Sequence, residues 1–89
     1  MANISGTVNF VFNQNTTTPS QDIGCAIILD AATNQNEVIT FWNGTQGLQN
    51  NRRIYFNAML CTAFATGKTV SVTTTGPVSG VVESISIST

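Results

Sequence analysis

The chain has 89 residues, of which three are lysine or arginine, four are aspartate or glutamate and none is histidine. This length suits one domain and leaves no room for a second, so residues 1–89 are read as a single unit. Three cations cannot line a nucleic-acid groove, because phosphate neutralisation supplies most non-specific affinity, and no run of about 20 apolar residues is present to cross a membrane.

What polarity remains is carried by Thr, Asn, Ser and Gln. A coat of hydroxyls and amides hydrates a surface without ions, a composition more usual in exported β-proteins than in cytosolic enzymes. The apolar residues are periodic, which argues against disorder. Met1 to Ser5 lacks the basic start and apolar run of a signal peptide. Two expectations stay open: a secreted or periplasmic mature domain with an added Met, or a cytoplasmic protein.

Taken in chain order, Thr7 to Phe12, TVNFVF, is expected to form a half-buried strand with Val8, Phe10 and Phe12 on one face. The polar stretch Asn13 to Gln21 holds a proline and reads as a loop. Ile23 to Leu29, IGCAIIL, is apolar on both faces, so it is a central strand or one covered by a neighbouring molecule. Residues 30–36 turn, and Glu37 to Trp42, EVITFW, pairs back. Asn43 to Asn51 is a polar loop whose last two asparagines can cap a helix.

That helix, Arg52 to Gly67, RRIYFNAMLCTAFATG, carries the most information. At 100° per residue, Ile54, Ala58, Cys61 and Ala65 form one arc, while Phe56, Leu60, Ala63 and Phe64 form another opposite it. A surface helix of a small domain needs one apolar face; two imply two buried faces, and so short a chain cannot bury both by itself. The second face calls for another copy of the chain. The large arc of Phe56, Leu60 and Phe64 is assigned to the domain's own core, and the small arc to the oligomer interface. Gly67 is placed as the left-handed residue that ends the helix, with Lys68 just beyond favouring its dipole.

After the helix, Thr69 to Thr73 sends Val70 and Val72 to one side, residues 74–80 turn, and Val81 to Ser88 places Ile85 and Ile87 inward with Ser84, Ser86 and Ser88 outward. No internal repeat is found. The order β-β-β-α-β-β, with one helix between strands 3 and 4, is that of the OB-fold, a small five-stranded Greek-key barrel.

The C-terminal half carries a more specific pattern. An Ala/Leu-rich helix ends in Ala63-Phe64-Ala65-Thr66-Gly67-Lys68-Thr69-Val70, followed by Val72 and by a last strand with Ile85 and Ile87. This resembles the OB-fold B subunits of A-B type bacterial toxins with pentameric B rings, most closely the subtilase-cytotoxin and pertussis-like group and small exported relatives. The resemblance implies a homo-oligomeric ring whose helices pack around a pore, recognition of cell-surface glycans, and a catalytic A-type partner subunit. Such subunits usually carry a signal peptide and a disulfide near the second strand.

The residues themselves offer little for catalysis and more for binding. The acidic groups stand singly, no G-x-S-x-G is present, and Gly67-Lys68-Thr69 follows a helix where a phosphate loop would precede one. The protein is therefore read as non-enzymatic, without cofactor or metal, since neither histidine nor a CxxC spacing occurs. Cys25 and Cys61 are either two buried thiols or a disulfide pinning the helix to the barrel wall, worth roughly 3–4 kcal/mol. Trp42, Asn43, Thr45 and Gln46 offer an aromatic platform with amide and hydroxyl edges for a sugar, against the reading that Trp42 is core. Asn15-Thr16-Thr17 and Asn43-Gly44-Thr45 match glycosylation sequons. Two function classes stand: a glycan-binding ring subunit, and a structural assembly protein forming the same oligomer with no ligand.

Overall fold

The computed structural model describes residues 2–18, 21–43, 50–75 and 82–88. Five strands and one helix follow in the expected order: β1 (Ala2–Gln14), β2 (Ile23–Asp30), β3 (Gln35–Asn43), α1 (Asn50–Thr66), β4 (Thr69–Thr74) and β5 (Val82–Ile87). All pairings are antiparallel, in one sheet ordered β3-β2-β1-β4-β5. The sheet curls until its edges, β3 and β5, touch, but no hydrogen-bonded ladder joins them among the described residues.

β1 is the organising element. Its first half, Ala2 to Thr7, pairs with β4, and Gly6 to Gln14 pairs with β2. The strand changes partner at Gly6, where a Cβ would lie 1.7 Å from the Leu29 carbonyl oxygen. Only glycine lets the two backbones approach this closely.

Three residues later the register shifts between Val8 and Phe10. This bulge at Asn9 inverts the alternation: Ile4 and Val8 point into the core, whereas Phe10 and Phe12 emerge on the outer face, 47% and 37% exposed. The expectation that Val8, Phe10 and Phe12 share one face is thereby corrected. The extra residue shifts the strand by one, which flips every side chain after it. Val11 takes the inward place and packs against the core.

β2 alternates cleanly. Gly24, Ala26 and Ile28 are buried, while Ile23, Cys25, Ile27 and Leu29 are half-buried on the outer face. Its turn into β3 is held by Asp30, whose carbonyl accepts the Asn34 N–H at 2.7 Å and whose carboxylate accepts the Ala32 N–H at 3.0 Å. Asn34 takes the left-handed conformation, φ 57°, which asparagine tolerates better than most residues. In the β1–β2 loop, the Asp22 carboxylate accepts the Thr16 N–H at 2.6 Å.

The concave side of the sheet holds the core. Ile4, Val8, Ala26, Ile28, Ile39, Phe41, Val70, Val72 and Val82 line it, and α1 closes it with Phe56, Leu60 and Ala63. Ile85 and Ile87 pack inward, as their alternation with serine predicts. Gly67 follows the helix with φ +69° and ends it as expected.

Candidate functional site

The helix presents its outward arc to solvent. Ile54 is 63% exposed, and Ala58, Cys61 and Ala65 are exposed with it. One member of the inward arc is corrected: Phe64 is 49% exposed, and Ala63 is fully buried in its stead. Helical geometry gives the reason, since Phe64 lies about 80° round the axis from Phe56 and Ala63 only about 20°. The narrow space over the sheet accepts a methyl at that level and leaves the ring on the flank. Tyr55 is exposed on the other flank. Between Arg53 and Lys68 the helix carries no charge.

Asn57 fastens α1 to the sheet. Its side-chain oxygen accepts a short hydrogen bond from the Asn13 amide and lies 3.5 Å from the Cys61 sulfur. The bulge makes this contact possible, because it turns Asn13 to the helix side.

The outer face of the sheet is divided. Over β1, β2 and β3 it is apolar: Phe10, Ile27 and Val38 form one cross-strand row, and Phe12, Cys25 and Thr40 the next. Over β1, β4 and β5 it is a grid of small polar groups, with Asn3, Thr73 and Ser84 in one row and Ser5, Ser71 and Ser86 in another. Thr73 donates to the Asn3 side-chain oxygen at 2.8 Å, and Ser5 to Ser71 at 3.2 Å. Neither the apolar rows nor the polar rows contain a charge.

Two expected sites change. Trp42 is 7% exposed and belongs to the core, so its ring cannot serve as a sugar platform. The register shift between Gly24 and Cys25 lets Phe41 and Trp42 be buried one after the other instead of alternating. Thr45, Gln46 and the Asn43 side chain lie outside the described residues.

Cys25 and Cys61 are free thiols. Cys25 sits on the outer sheet face and Cys61 on a helix packed against the inner face, so the sheet itself stands between them and the disulfide is ruled out geometrically. Nor are they a buried pair, because Cys61 is exposed and Cys25 only half-buried. Burial pushes the Cys25 thiol above its ordinary value.

The second apolar face of β2 was expected from Ile23–Leu29, but the part that Phe10 and Phe12 add to it was missed. The signal was present: Ile4, Gly6 and Val8 keep one phase, and Phe10, Val11 and Phe12 are apolar in both, which a single uninterrupted alternation cannot satisfy. Among the described residues no group of three His, Cys, Asp or Glu could hold a metal ion, and no helix is long and apolar enough to cross a membrane. Compared with known proteins, the chain matches no family model, no curated protein and no solved structure.

Proposed function

We propose that this protein is a non-enzymatic, OB-fold-like subunit that assembles with copies of itself through the outward face of α1. The carrying observation is that face: Ile54, Ala58, Cys61 and Ala65 stand exposed on a helix whose other side already fills the core. Apolar residues gathered on one exposed face of a helix support an interaction site there.

Three features support the OB-like reading. A long, kinked first strand pairs with both β2 and β4, the helix lies between β3 and β4, and the edges β3 and β5 meet as in a partly open barrel. The non-enzymatic reading is supported by the lack of histidine and by acidic residues that stand apart in the sequence. A glycan ligand and a catalytic A-type partner are implied by the toxin resemblance alone, since Trp42, the aromatic residue offered for a sugar, lies in the core, and neither enters this proposal.

Ala58→Glu tests it. A carboxylate in a covered interface costs several kcal/mol unless it protonates or the contact opens. Sedimentation should show a smaller particle, with circular dichroism unchanged because Ala58 is exposed in the single chain. An unaltered mass would show that this face is not an interface.

A further inference from the structure

We draw no further inference here: the strongest candidate, the apolar outer face of β1, β2 and β3 around Phe10, Phe12, Ile27 and Val38, carries none because nothing in the structure shows what covers it.

Discussion

Gly6 and Gly67 are glycine for different reasons, and substitution separates them. At Gly67 a Cβ meets nothing within 4 Å, so Gly67→Ala carries only the local strain of φ +69°, about 1 kcal/mol. At Gly6 the same methyl meets a backbone carbonyl that no rotamer can move, and Gly6→Ala should cost about 3 kcal/mol or more. Urea midpoints of the two variants check this, and equal losses would contradict it. Cys25 makes a prediction in pH. Its folded thiol is raised by burial, so the neutral form is favoured in the native state. The unfolded chain therefore ionises first, and this contribution is full below the ordinary thiol value and lost as pH rises above about 8.5. The alkaline loss of stability should be smaller in Cys25→Ser than in the parent; an equal loss would remove Cys25 as a cause.

At the scale of elements, α1 is where inward and outward residues can be told apart by experiment. Leu60 is fully buried against the sheet, and Leu60→Ala should cost about 2–5 kcal/mol, whereas Ile54→Ala should leave the unfolding midpoint of the dissociated chain within about 0.5 kcal/mol. Thermal or urea unfolding at dilutions where the protein is monomeric would test the difference. The C-terminal stop of this helix and the order of the five strands were legible because their signals are local: glycine at a left-handed stop, and alternating valine and isoleucine on β4 and β5. The helix start was not, since α1 begins at Asn50 and takes in both asparagines expected to cap it. What escaped sequence reasoning was non-local. The first strand was expected only from Thr7, whereas β1 starts at Ala2, because Gly6 brings no side chain to continue the alternation. Only its pairing with both β2 and β4 explains why a glycine belongs inside a strand. The bulge at Asn9 likewise depends on β2, and with it went the outward turn of Phe10 and Phe12. Trp42 was ambiguous from sequence because an aromatic at a strand end suits a core and a platform equally. The packing of α1 and the sheet decides for the core.

For the molecule as a whole, the divided outer sheet face explains how so few charges suffice. Hydroxyl and amide groups about 4.8 Å apart along each row keep one half hydrated, and the other half is apolar. Small polar side chains order little on exposure and lose little on staying wet, so this half needs no ions. The division was foreshadowed by Ile23–Leu29, apolar on both faces, but its position beside the serine-rich half follows from strand order, which periodicity does not contain.

The central claim is that a single copy does not satisfy its own apolar surface. The most direct test is sedimentation equilibrium of the unaltered protein across a concentration series. The account predicts a mass that is a multiple of 9.4 kDa, falling towards 9.4 kDa only on dilution or in Ala58→Glu. A monomer of 9.4 kDa at every concentration would contradict it.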